Sequence, residues 1–216
     1  MGQYWLVACP SKRDYTAKVF GRKLSEMLFS SWPDILSDLI KEDWARAPLI
    51  CIGDCLNPKD LPDAMQEHNH PLTSAKLNTM SSDLRFDIVE REFGFWSYME
   101  EKKDQAETAT HSRNRVLRNL TTQEYVLETN LKSGITIGHL VLMRICWSSD
   151  SSTSIQGGAY LARGGLAGHK FDIVDAGMLE NLNARQWQDV SRDVWDEVEF
   201  LWSNNFGEGW ETEWKG

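Results

Sequence analysis

Cys51, Cys55, His68 and His70 group residues that bind soft metals, spaced as Cys-x3-Cys-x12-His-x-His. Zinc asks for four convergent ligands, and the first two intervals are those of a two-Cys, two-His finger. The last interval is not: a finger sets its histidines about a helical turn apart, whereas His68 and His70 share a face only on an extended strand. Pro58 and Pro62 also interrupt a finger's compact core. The expectation is buried thiols beside a polar surface loop, with no cofactor; zinc is the alternative. A second grouping is basic. Arg113, Arg115 and Arg118 follow His111 and precede Thr121. Guanidinium groups make charge-assisted, often bidentate hydrogen bonds to carboxylates and phosphates, so the cluster is a candidate anion site. The competing expectation is internal pairing with some of the 32 acidic residues. On a strand Arg113 and Arg115 share a face, and Arg118 needs a turn to join them.

Nucleophilic chemistry has only scattered parts: Cys146 or Ser148, His139 or His169, and Asp150 or Asp172, with no spacing that constrains their geometry. A Cys inside an apolar run is ordinarily a small core residue. Gly164-Gly165-Leu166-Ala167-Gly168-His169-Lys170 has the glycines of a phosphate loop but neither its interval nor the Ser or Thr after Lys, so a hairpin or tight loop is expected. Ten tryptophans are many for 216 residues. Most should fill the core, where each buries on the order of 150–250 Å². Trp210 and Trp214, in a tail rich in Gly and Glu, are the candidates for an interaction surface.

These residues need elements to hold them. Gln3 to Ala8 reads as an opening strand closed by Pro10. Leu24, Met27 and Leu28 recur at helical spacing, and Ile35, Leu36, Leu39 and Ile40 form a second helical stripe behind Pro33. Leu49 to Ile52 is a buried strand ended by Gly53-Asp54. Residues 57–82, with Pro58, Pro62 and Pro71, form an irregular excursion, and Arg85 to Tyr98 fits strand and helix templates equally. Thr121-Thr122-Gln123-Glu124 has the capping-box pattern and predicts a short helix through about Thr129. Gly138 to Trp147 is uniformly apolar and predicts a central strand. Another strand starts at Phe171. Trp187, Val190, Val194, Trp195, Val198, Leu201 and Trp202 then lie on one face of a final helix, with Asn183 as N-cap and Gly207 beyond its end. The expected class is α+β: one mixed or antiparallel sheet packed against several helices, in a single domain over 1–216.

Composition narrows the partners. A net charge of −9 and a pI near 5.1 oppose sequence-independent binding to nucleic acid. No stretch approaches the roughly 20 apolar residues of a membrane span, and no signal peptide is recognisable, so a soluble, cytoplasmic protein with reduced thiols is expected.

Met1-Gly2-Gln3-Tyr4-Trp5, Val116 to Val126, Met143 to Asp150 and Ala167 to Ile173 together resemble a family of uncharacterised fungal proteins. The resemblance implies an intracellular fungal origin and carries no activity, fold or ligand. Trp44 to Asp54 resembles it too, except that Arg46-Ala47-Pro48 stands where the family pattern has Gly-Asp-Arg. Trp44-Ala45 before one apolar strand and Leu166-Ala167-Gly168 before another also hint at a duplicated turn-to-strand unit. The functional expectation is a binding or protein-interaction domain, with an unknown protein or a small anionic ligand as partner. The alternative is an enzyme acting on a small anionic substrate through the arginines.

Overall fold

The computed structural model describes residues 4–12, 14–15, 22–53, 56, 62, 114–131, 134–149, 163–181 and 186–206. Among the described residues, two small sheets and four helices share one apolar core. The first sheet holds β1 (Tyr4–Cys9), β2 (Asp14–Tyr15), β3 (Arg22–Lys23), β4 (Ile50–Gly53) and β7 (Cys146–Trp147). The second has the order β8-β5-β6-β9, from β5 (Arg115–Asn119), β6 (Glu124–Leu127), β8 (Phe171–Asp175) and β9 (Gln188–Asp189). The class is thus mixed α and β, but the described strands make two sheets rather than the single one expected. Both faces of the first sheet are buried: Trp5, Val7, Cys9 and Cys51 join the main core, while Leu6, Ala8, Ile50 and Ile52 are also closed to solvent. That is why β1 and β4 read as unbroken apolar runs instead of alternating ones.

The helices are α1 (Leu24–Leu28), α2 (Trp32–Lys41), α3 (Ile137–Ile145) and α4 (Ser191–Phe206). Pro33 sits in the first turn of α2, where its missing N–H has no role, and Ile35, Leu36, Leu39 and Ile40 are buried. α2 packs on α3 and reaches β8, α3 also touches β4, and α4 lies against β6 and α3. Helix α3 corrects the expected central strand: Gly138 to Ile145 is helical, and only Cys146–Trp147 is extended. A helix wedged between elements on all sides needs no polar stripe, so an apolar run of this length fits it as well as a strand. The local signal was a cap. The Thr136 N–H donates to His139 Nδ1 at 3.0 Å, which satisfies a free donor at the helix start.

The helix expected from Thr121 is instead the turn of the β5–β6 hairpin. Asn119 Oδ1 accepts from the N–H groups of Thr121 and Thr122, and the Gln123 N–H returns to the Asn119 carbonyl at 2.9 Å. Asn119 thereby closes an Asx-type turn that competes with helix formation. Helix α4 starts at Ser191, whose N–H donates to Asp189 Oδ1 at 2.9 Å, so Trp187 and Val190 precede it. The expected N-cap, Asn183, lies outside the described residues, as do the segment 85–98, Gly207 and nearly all of 57–82.

The duplicated turn hinted at by the sequence has a counterpart in the structure. In the first sheet Ala8 pairs with Tyr15 and Cys9 with Asp14; in the second, Arg118 pairs with Tyr125 and Asn119 with Glu124. Both hairpins therefore enclose a loop of the same length and lead into an acidic residue followed by Tyr. Strand β4 lies antiparallel on the opposite side of β1 from β2, as β8 lies beside β5 opposite β6. The two turns that precede β4 and β8 also bind each other. The Arg46 N–H donates to the Phe171 carbonyl at 2.6 Å, and the Gly168 N–H to the Leu49 carbonyl at 2.7 Å, about a bridge between Pro48 and Lys170. Arg46 and Gly168, equivalent in this arrangement, both have positive φ, 62° and 84°.

Candidate functional site

A narrow cleft opens where β5 and β6 meet α3 and α4. Its apolar lining is Leu117, Val126, Leu140, Val141, Leu166, Phe171, Val190 and Val194, and Asn119, Glu124, Tyr125 and Arg144 complete it. The hairpin register sets this composition. Leu117 and Val126 oppose each other on the core side of the sheet, and the next pair on that side, Asn119 and Glu124, is polar. Successive pairs on one face thus change from core to mouth within one step of the pleat.

His169 adjoins this mouth through Asn119, whose Nδ2 lies 3.0 Å from His169 Nδ1. Because Asn119 Oδ1 already accepts two backbone N–H groups, its amide must present NH2 to the imidazole. The network therefore assigns His169 the tautomer with a bare Nδ1 and a proton on Nε2. Among the described residues that Nε2–H has no partner. Burial lowers the His169 pKa from its usual value; Glu124 opposes the shift and Arg144 adds to it. The imidazole is accordingly neutral at pH 7. Thr122 Oγ1 donates to Glu124 Oε2 at 2.6 Å, and Arg144 pairs with Glu197 at 3.2 Å. The charged residues that line the cleft, Glu124 and Arg144, carry one charge of each sign.

The arginine grouping divides between the two faces of β5. Arg115, on the core side, makes a bidentate pair with Glu128 at 2.7 and 2.6 Å, and both side chains are buried. That pairing is the chief cause of its raised pKa, against the effect of burial. Arg118, on the other face, makes a bidentate pair with Asp172 and stacks over Trp187 at 5.5 Å. Their side chains point away from each other, each committed to a carboxylate. Arg113 and His111 lie outside the described residues.

The scattered nucleophile parts are not brought together. Cys146 is buried and donates to the Leu142 carbonyl at 3.1 Å, His139 links Thr136 to Leu28, Asp172 holds Arg118, and Asp150 is outside the described residues. The glycine-rich segment forms a tight turn whose amides bind protein carbonyls: Gly164 to Cys146, Leu166 to Arg144, Ala167 to Gly164, Gly168 to Leu49 and His169 to Leu166. Those N–H groups are not left to cradle a phosphate.

Cys51 is buried in β4, in register with Cys146, and burial followed by contact with Cys146 pushes its thiol pKa up. Cys55, His68 and His70, the other residues of the metal spacing, lie outside the described residues, as do Trp210 and Trp214. Among the described residues no three His, Cys, Asp or Glu side chains are placed to hold a metal, and no helix is long and apolar enough to cross a membrane. Sequence reading singled out His169 but missed Glu124 and Arg144. Their one local sign was the Asn-x-Thr-Thr turn, because the mouth is assembled by strand pairing and helix docking.

Comparison with protein-family models, with curated proteins and with solved structures finds no match for this chain.

Proposed function

We propose that this protein is a binding domain whose ligand is a small, neutral, largely apolar molecule seated in the cleft between β5, β6, α3 and α4. The observation that carries the reading is the combination of an apolar lining with a few polar side chains, Asn119, Glu124 and Arg144, whose two charges balance. Concave apolar sites with a few convergent polar groups are where small ligands bind. A charged ligand of either sign fits less well, since Glu124 and Arg144 balance each other and Arg144 is already paired with Glu197. The enzyme alternative rested on free arginines, and Arg115 and Arg118 are held by carboxylates.

The test is a titration of isotope-labelled protein with isobutanol, phenol and benzoate, following the methyl signals of Leu140, Val141, Leu166, Val190 and Val194. Saturable shifts of these methyls with the neutral probes are expected, and weaker ones with benzoate. Glu124→Ala, which removes an acceptor that lines the cleft, should weaken phenol binding by roughly fivefold, as befits one hydrogen bond. A cleft unmoved by all three probes would sink the proposal.

A second reading, protein interaction through Trp210 and Trp214, draws support from Phe200, which is 60% exposed on α4 ahead of that tail. Lost partner binding in a Trp210→Ala, Trp214→Ala variant with an unchanged cleft titration would favour it.

A further inference from the structure

The tip of the β5–β6 hairpin is fastened to the turn that precedes β8. The Leu120 N–H donates to the Lys170 carbonyl at 2.8 Å, and the Lys170 N–H to Thr121 Oγ1 at 3.0 Å. The same turn also grips the chain just ahead of β4: the Gly168 N–H donates to the Leu49 carbonyl at 2.7 Å, and the Leu49 N–H to the His169 carbonyl at 3.1 Å. Asn119, 5% exposed, and the half-buried His169 imidazole meet at this junction of the two sheets.

Its donors and acceptors fit in one arrangement, which has no place for a further proton. Asn119 Oδ1 accepts from the N–H groups of Thr121 at 3.1 Å and Thr122 at 3.4 Å, so Nδ2 donates to a bare His169 Nδ1. A proton on Nδ1 sets donor against donor. Turning the ring over gives no relief, because an imidazolium carries N–H on both nitrogens. Rotating the Asn119 amide offers Oδ1 to the imidazolium but points NH2 at the N–H groups of Thr121 and Thr122. A charge-assisted hydrogen bond is roughly twice as strong as a neutral one, so the imidazolium takes the oxygen and the turn loses it.

We infer that His169 and Asn119 form a proton-operated latch: with a neutral imidazole Asn119 holds the β5–β6 turn closed, and protonation draws its Oδ1 to the imidazolium and frees the N–H groups of Thr121 and Thr122. The charged groups around His169 are Glu124 on β6, which favours the proton, and Arg144 on α3, which opposes it and is paired with Glu197 on α4. Burial is the largest influence and also opposes the proton. The His169 pKa therefore lies below 6.5, so the latch is closed above that pH and opens as pH falls through the folded-state value. The latch requires no ligand in the cleft.

Nitrogen-15 shifts of the imidazoles, with solvent exchange of the backbone amides, followed in the full chain from pH 7.5 to 5, test this. At pH 7.5 His169 should carry its proton on Nε2. As it titrates, protection of the Thr121 and Thr122 amides, corrected for the intrinsic pH dependence of exchange, should fall by roughly fivefold with the same midpoint, the worth of one hydrogen bond. His169→Gln keeps an acceptor for Asn119 Nδ2 and does not titrate, so there the two amides should stay equally protected throughout. Asn119→Asp has an oxygen for each side: the His169 midpoint should rise by about one pH unit or more, and the turn should stay protected in acid. A parent His169 with its proton on Nδ1 at pH 7.5 would overturn the latch, as would turn amides that do not follow its titration. Equal loss of protection in His169→Gln would overturn it too, by tracing the effect to Glu124 or to general unfolding. The parent and His169→Gln decide the matter if Asn119→Asp does not fold; a folded Asn119→Asp whose His169 midpoint falls would also overturn it.

Discussion

His139 is 1% exposed at the start of α3 and joins two elements: its Nδ1 accepts from the Thr136 N–H, so its Nε2 donates to the Leu28 carbonyl at 3.1 Å. Burial lowers its pKa to about 4, against the opposing effect of the Leu28 bond. Between the unperturbed value of 6.5 and 4, the unfolded chain binds a proton that the folded one excludes. The stability from neutral His139 is therefore fully present above pH 6.5 and is lost progressively as pH falls toward 4, by roughly 3 kcal/mol in all. Burial shifts His169 in the same direction. Urea midpoints between pH 7.5 and 4.5 should fall accordingly, and His139→Asn, less stable at pH 7, should show a shallower slope. A wild-type midpoint flat across that range would refute this account. Arg115 and Glu128 show the other way to keep a titratable group inside. Removing either partner strands the other's buried charge, which is why such an arginine is a structural residue rather than a free anion site.

At the scale of elements, α2 and α3 cross closely enough that a Cβ built on Gly138 would stand 1.7 Å from the Pro33 carbonyl oxygen. Helix propensity alone predicts that Gly138→Ala stabilises α3 by up to about 1 kcal/mol. The contact reverses the sign, because the obstacle is backbone of a packed helix and the pair must separate. We expect Gly138→Ala to destabilise by about 2 kcal/mol or more in urea unfolding, the range of overpacking. A neutral or stabilising result would mean that the two helices are further apart than described. The same crossing accounts for the misread run from Gly138 to Trp147. Its helical cap at Thr136 and His139 is local, but the packing that buries every side of α3 comes from α2, α4 and β4. The Thr121 pattern failed for the converse reason: the bonds from Asn119, and from the Lys170 N–H to Thr121 Oγ1 at 3.0 Å, satisfy the segment as a hairpin turn.

Across the whole molecule, Leu142 on α3 and Val194 on α4 belong to one core with residues of both sheets. Leu142→Ala should destabilise by about 2–4 kcal/mol and Val194→Ala by about 1–3 kcal/mol, each in a single cooperative transition monitored by tryptophan fluorescence and far-UV dichroism. Two separated transitions would show that the sheets unfold independently. Much of this core was legible from residue order alone. The runs of β1 and β4, the stripe of α2, the strand from Phe171 and most of α4 follow from apolar spacing, which acts over a few residues and is written along the chain. The sequence also carried the trace of a repeat in Trp44-Ala45 and Leu166-Ala167. It did not determine the partition into two sheets, the helical state of α3, or the partners of Arg115 and Arg118. Nor did it place Asn119 against His169, 50 positions away, or Asp172 against Arg118, 54 away. Those contacts depend on which strands pair and which helix covers them. That is a competition among distant segments for burial and hydrogen bonds, and only the assembled tertiary structure decides it.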